Sequence, residues 1–320
     1  MMNVLLTGGA GFIGSSLAEK LLQHPDVFLV IADDLSTGRT SNIPIHPRCV
    51  FKKVDVNNYE DISSLFFQYS FDYVFHYAAT VGVQRTLRLP VQVLEDLHGI
   101  ENILKLAKNG RVKRVFFSSS SEVYGEPVEF PQNEETTPLN SRLPYAIVKN
   151  ASEAFLKAYY QEHGLRYSIF RFFNTYGPKQ STDFVISKFI SQALKNEPVT
   201  INGDGQQTRT FCYIDDNVDA TYNIFLQVIE NPDTENHIIN IGNDNETPIL
   251  ELAKLIIRLT GSKSTIQHLP PLPEGDMKRR LPDITKMRSI LKRPLVSLEE
   301  GIQKILQHPV FLKNIHHESY

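Results

Sequence analysis

TGGAGFIG, residues Thr7 to Gly14, decides how the fold is read. The short apolar run Asn3–Leu6 leads into it, and apolar residues at helical spacing from Ser15 to His24 follow. A second apolar run, VFLVIADD, begins at Val27 and carries Asp33 near its end. Strand, glycine turn, helix and strand in that order predict a βαβ unit whose turn lays backbone N–H groups along a phosphate. Gly8, Gly11 and Gly14 recur every third residue, close to the usual dinucleotide fingerprint without matching it. Phe12, Ile13 and Gly14 open the helix. Turn glycines and a capping acid would account for the same residues in isolation. Their position between two buried strands favours the dinucleotide.

Asp33 at the end of the second strand is placed to accept both ribose hydroxyls of NAD, where it would repel the extra phosphate of NADP. Arg39, close by, keeps NADP open as the less favoured alternative. Asp55 and Val56, closing the predicted strand CVFKKVDV, are placed at the adenine edge. Ala78 and Ala79 end a further strand, YVFHYAA, on the cofactor side.

Onward from there the pattern remains alternating. A helix is expected over Pro90–Asn109, a strand over Arg111–Ser119 and a strong helix over Tyr145–Gly164. Unalternated apolar strands separated by helices imply an α/β fold, a Rossmann-type parallel sheet flanked by helices. Beyond this the rhythm is irregular. A smaller, partly interleaved C-terminal substrate domain is expected. Residues 1–175 form mainly the dinucleotide domain and 176–310 mainly the cap, some of whose segments return to the sheet. Residues 311–320 read as a loosely attached tail.

Composition sets the outer bounds. The 320 residues are 41% hydrophobic and 22% charged, with 33 Lys plus Arg against 36 Asp plus Glu. Such a balance offers nucleic acid or an anionic membrane no broad attraction. Cys49 and Cys212 have neither metal-ligand spacing nor the numbers for a disulfide framework, so a reduced, cytoplasmic protein without a metal site is expected. The N-terminus lacks the form of a signal peptide, and no apolar stretch is long enough for a transmembrane helix.

Two later segments carry acid–base chemistry. SSSSEVYG at 118–125 sets hydroxyls beside Glu122, and YAIVK at 145–149 places Lys149 one helical turn from Tyr145. An ordinary tyrosine ionises near ~10, so a nearby cation is needed before it can act as a base at neutral pH. Asp215 and Asp216 are expected to open the helix after CYI, Phe189 and Phe211 to be packing residues, and His76 to be a packed strand residue.

Taken together, TGGAGFIG, FHYAA, SSSSEVYG, YAIVK, RFFNTYGP, NGDGQQTRTFCYIDD and KRRLPDI resemble the extended short-chain dehydrogenase/reductase family, and within it the nucleotide-sugar epimerases, dehydratases and decarboxylases. The likeness runs over roughly residues 2–306. It implies an NAD that oxidises a sugar hydroxyl transiently, with Tyr145 as base, Lys149 lowering the Tyr pKa and binding the nicotinamide ribose, and Ser120 hydrogen-bonded to the same sugar oxygen. Gly82 and Val83 would belong to the substrate loop, Asn174 would lie beside the sugar diphosphate, and Arg209 and Arg280 near its phosphates. Asp96 departs from the family, which often has Asn there. The resemblance implies a homodimer through two long helices of each chain; the amphipathic segments 95–108 and 146–162 are the candidates to supply them, with packing of their apolar faces inside the chain as the alternative.

Three reactions remain in play. Dehydratases use an Asp-Glu pair where this chain has Ser121 and Glu122, so the usual acid is missing. Ser121-Glu122 and KRRLPDI resemble UDP-glucuronate decarboxylases, whereas ATVGVQ resembles the epimerase loop. On the weight of that sugar-facing loop, a UDP-sugar 4-epimerase ranks first and a UDP-glucuronate decarboxylase second.

Overall fold

A computed structural model describes residues 1–82, 86, 88–271 and 279–317. These fall into two compact units. The first comprises 1–125, 138–172 and 218–240, and the second 126–137, 173–217 and 241–320.

The first unit contains the sheet. Strands β1 (Met2–Thr7), β2 (Val27–Asp33), β3 (Cys49–Lys53), β4 (Tyr73–His76), β5 (Arg114–Ser120) and β6 (Arg166–Phe172) pair in parallel in the order β3-β2-β1-β4-β5-β6, and β11 (His237–Ile241) lies beside β6. That order is the doubly wound dinucleotide arrangement. Helices α1 (Phe12–Leu21), α2 (Tyr59–Gln68), α3 (Pro90–Asn109) and α4 (Pro144–His163) make the connections. On the face carrying α2, α3 and α4, Leu5, Val30, Val74, Val115, Phe117 and Ile169 form one core with Ile62, Ile100, Ile103 and Leu156.

Aromatic rings fill the other face. Phe75 stacks on Phe116 at 4.3 Å, and Phe225 meets both edge-on at 5.6 and 5.9 Å. Phe225 belongs to α6 (Ile214–Glu230), which is why 218–240 joins the sheet unit despite its late position in the chain. The buried Arg114 guanidinium adds a second tie by donating to the carbonyls of Thr234 (2.6 Å) and Glu235 (3.0 Å).

Several strands are shorter than the apolar runs suggested, β3 ending opposite the last residue of β2 and β4 opposite the last residue of β1. Lys53 is paired with Asp33, the last residue of β2, so Asp55 and Val56 lie past the end of β3 in a turn. His76 pairs with Thr7 in the same way, leaving Ala78 and Ala79 beyond β4. LRYSIFRFFNTYG divides into β6 and β7 (Thr175–Tyr176), with Asn174 between them at φ +33°.

The second unit gathers three two-stranded pairs: β7 with β10 (Cys212–Tyr213), β8 (Val199–Asn202) with β13 (Ile266–Leu269), and β9 (Thr208–Thr210) with β12 (Glu246–Pro248). Around them lie α5 (Val185–Leu194), α7 (Ile249–Thr260), α8 (Thr285–Leu291), α9 (Leu298–Gln307) and α10 (Pro309–His317). Phe189, Leu252, Ile256, Ile302 and Ile305 are buried here, and so are Phe189's expected fellow packing residue Phe211 and Phe311 of α10. Residues 311–317 of the expected tail belong to the helix Pro309–His317, and 318–320 lie outside the described residues. Residues 126–137 also belong to this unit and not to the sheet. Gln132 N–H donates to Leu281 O at 2.7 Å, and Asp283 N–H donates to Gln132 O at 2.8 Å. Asp216, expected at a helix N-terminus, is fully buried and does more than complement the dipole. Its carboxylate accepts from Arg293 (2.6 Å) and from the Val296 N–H (2.9 Å), tying the α6 start to the chain before α9.

Among the described residues no helix is long and apolar enough to cross a membrane.

Candidate active site

The glycine turn is built by close approach. Gly8 has φ +71°, and a Cβ there would come within 2.6 Å of the Ala78 amide nitrogen. The β1–α1 turn thus lies against the chain leaving β4, where Thr7 Oγ1 accepts from the N–H groups of Tyr77 (3.1 Å) and Ala78 (3.2 Å). A Cβ on Gly14 would run into the Gly8 carbonyl. Gly11 caps α1 with no side-chain hydrogen bond, so the first-turn amides of Phe12, Ile13 and Gly14 receive no capping side chain from it. A diphosphate fits that chemistry.

Asp33 sits over the same turn. It is 7% exposed and accepts from the N–H groups of Ala10 (3.0 Å) and Leu35 (2.8 Å). Burial pushes its pKa up, and the two amides oppose the rise. Each carboxylate oxygen retains a lone pair for a ribose hydroxyl. The remaining predicted residues are less direct. Asp55 is exposed and accepts from the Asn57 N–H at 2.9 Å, while the Val56 side chain is buried in the core and its carbonyl accepts from Asn102.

On the opposite side of β1, α4 lies along β5. Pro144 starts the helix, which sets Tyr145 and Lys149 on its first two turns. The Lys149 ammonium is buried, donates to Ser118 O at 2.8 Å, and lies 4.7 Å from the Phe117 ring centre and 5.8 Å from that of Tyr145. Ser120, also buried, accepts from the Glu122 N–H at 3.2 Å and so caps the 3-10 turn Ser121–Tyr124. Glu122 itself is half-buried. Asp96, standing where the family often has Asn, accepts from the Thr80 N–H (2.7 Å) and hydroxyl (3.3 Å). Its carboxylate charge acts on Lys149.

His76 is not an acid or base here. It is buried beside Phe117, shares a 2.9 Å hydrogen bond with Thr7 Oγ1, and is driven down to about 3 by burial and then by the Lys149 charge.

In the second unit, Asn174 Nδ2 donates to Thr210 O (3.0 Å), and Arg209 Nη1 donates to the Thr208 carbonyl (2.7 Å). Arg280 is buried next to Leu281, where the 126–137 segment attaches. Gly82 has φ +106°, a conformation reserved for glycine, and Val83 lies outside the described residues.

Residues 4–242 match the model of the NAD dependent epimerase/dehydratase family. The chain belongs to that family. A UDP-N-acetyl-alpha-D-glucosaminuronate decarboxylase of Bacillus cytotoxicus is 36% identical to it, over 95% of this chain and 96% of its own. UDP-glucuronic acid decarboxylase 1 of Danio rerio is 34% identical, over 99% of this chain and 74% of its own. Among solved structures, a UDP-glucose 4-epimerase of Thermotoga maritima with UDP-glucose is similar at a TM-score of 0.89 and 32% identity, covering 98% of this chain and 99% of its own.

NAD is accordingly the cofactor of this epimerase/dehydratase-family enzyme, and the glycine cradle and Asp33 are the groups that fit it. One residue set was not visible in the sequence reading: Glu153, one turn beyond Lys149, and Arg171, at the head of RFFNTYGP. A charged residue inside the apolar run YSIFRFF was the available signal.

Two outcomes test these assignments. Asp33→Ala should leave the protein folded by circular dichroism yet weaken NAD retention, measured by cofactor titration; unchanged affinity would remove Asp33 from the site. Burial lowers Lys149 from 10.5 to about 8, with Asp96 opposing the drop. The ammonium is therefore present at neutral pH and lost as pH rises through about 8. Turnover should fall over that window, and a pH–rate profile flat to well above it would separate Lys149 charge from catalysis.

Proposed function

We propose that this enzyme decarboxylates a UDP-uronic acid through a transient 4-keto sugar. Glu122, directly following Ser120 and Ser121 in the turn that Ser120 caps, carries the reading. The two decarboxylases of Bacillus cytotoxicus and Danio rerio support it. NAD, when bound, supplies the hydride acceptor and donor at C4. Tyr145 takes the C4 hydroxyl proton while the Lys149 charge stabilises the phenolate, and Ser120 hydrogen-bonds the same oxygen. The C4 ketone makes the C5 carboxylate a β-keto acid. Its C5–carboxylate bond breaks, carbon dioxide leaves, and the electron pair passes into the enolate at O4. C5 then takes up a proton, with Glu122 as the acid group at hand. Arg209 and Arg280 suit the diphosphate, because a guanidinium fork matches phosphate oxygens.

The 4-epimerase reading, ranked first from the sequence, keeps the support of the solved epimerase and of the GVQ loop. In that chemistry the keto sugar turns over and receives hydride on its other face, and Glu122 has no required part.

Incubation with UDP-glucuronate, UDP-N-acetylglucosaminuronate, UDP-glucose and UDP-N-acetylglucosamine, followed by mass spectrometry, separates the readings. Loss of carbon dioxide from a uronate is expected, with Glu122→Gln slower by roughly 10²-fold. Equal-mass isomers with no carbon dioxide would establish the epimerase instead, and loss of water a dehydratase.

A homodimer through the outer faces of α3 and α4 is part of the same proposal, supported by Val91, Leu94 and Ile147, which expose 72%, 41% and 42% of their surface there. Sedimentation equilibrium should give twice the chain mass, and Leu94→Glu with Ile147→Glu should give the monomer.

A further inference from the structure

Five buried side chains of the sheet unit, none of them assigned to cofactor or substrate, form a continuous polar chain. Glu153 Oε1 accepts from the Ser119 hydroxyl at 2.6 Å and from Arg171 Nε at 3.0 Å, and its Oε2 accepts from Arg171 Nη2 at 2.7 Å. Arg171 Nη1 donates to the Tyr124 hydroxyl at 2.8 Å, which donates in turn to Asn240 Oδ1 at 2.8 Å. None of the five side chains is more than 2% exposed. They join β5, the 3-10 turn, α4, β6 and β11.

A buried ion pair is a weak source of net stability, since desolvation offsets most of the attraction. What the two-pronged contact adds is geometry. Alternation along β5 turns Phe117 and Ser119 toward α4, as the Lys149–Phe117 and Glu153–Ser119 contacts record. Consecutive strand residues are thereby pinned to consecutive helix turns: Ser118 O to Lys149, and the Ser119 hydroxyl to Glu153. Sliding the helix along the strand by one residue would break both. Arg171 extends the clamp to the turn that carries Glu122.

We propose that Glu153, held by Arg171, is a positioning residue that sets the register of α4 on β5 through Ser119 and so aligns Tyr145 with Ser120. The proposal rests on the reading of Ser120, Tyr145 and Lys149 as the catalytic set. Glu153 touches none of the reacting atoms.

Glu153→Gln removes the counter-charge of a buried guanidinium and risks the fold, so the decisive variants are at Ser119. Ser119→Ala removes one rung and keeps the ion pair, whereas Ser119→Thr keeps the hydroxyl on a residue suited to a strand. For soluble, NAD-loaded protein, kcat of Ser119→Ala should fall roughly tenfold with KM and bound NAD within about twofold of the parent, and Ser119→Thr should recover to within about threefold. Parental kcat in Ser119→Ala, whatever its melting temperature, would show the network to be structural alone and overturn the proposal. So would a loss that Ser119→Thr fails to restore, or one expressed in KM. Tyr145→Phe at parental rate would instead fail the catalytic reading beneath it.

Discussion

The Lys149 ammonium is buried, and much of the sheet unit is arranged around that fact. A charge removed from water must be hydrogen-bonded or paired, or it gives up its proton. Here the Ser118 carbonyl takes one hydrogen bond, the faces of Phe117 and Tyr145 lie within cation–π range, and the Asp96 charge opposes the fall in pKa. Burial keeps His76 neutral, and the nearby Lys149 charge adds to the effect. A lysine balanced in this way is cationic at neutral pH while remaining close to its own titration, which suits the phenolate-stabilising role proposed for it.

Backbone contact density explains the cofactor end. The β1–α1 turn can lie against the chain leaving β4 because Gly8 has no side chain, and Thr7 stitches the two together. Asp33 bridges the turn and the end of β2 through Ala10 and Leu35, so a residue expected to bind ribose also holds the cradle in shape. Cofactor affinity and local stability are therefore coupled at that position.

Family membership leaves the reaction open, and the proposed reaction turns on Glu122. A shared fold and a shared Tyr–Lys pair serve epimerases, decarboxylases and dehydratases alike, and the outcome depends on what acts at C5 once C4 is a ketone. Ser121-Glu122 provides a carboxyl group without the Asp-Glu pair of a dehydratase. Its relatives include decarboxylases, epimerases and a dehydratase, so the proposed reaction rests on the chemistry at this one position.

Much of this protein was legible in the chain alone. The glycine spacing, the position of Asp33 and the four-residue step from Tyr145 to Lys149 are local properties, set by the 3.6-residue helical period and by glycine's access to positive φ. The ends of β3 and β4 were not, because β3 stops opposite the last residue of β2 and β4 opposite the last residue of β1. Nor was the return of 218–240 to the sheet, which follows from Phe225 meeting Phe75 and Phe116. The Glu153–Arg171 network joins residues as far apart as Tyr124 and Asn240, and no local period encodes such a meeting. Protonation belongs to the same class. Lys149 and His76 have ordinary side chains in the sequence, and burial in the packed fold removes the water that would stabilise either charge; Lys149 starts higher and is supported by Asp96, so it remains a cation near pH 7, whereas His76 is lowered further by Lys149 and does not.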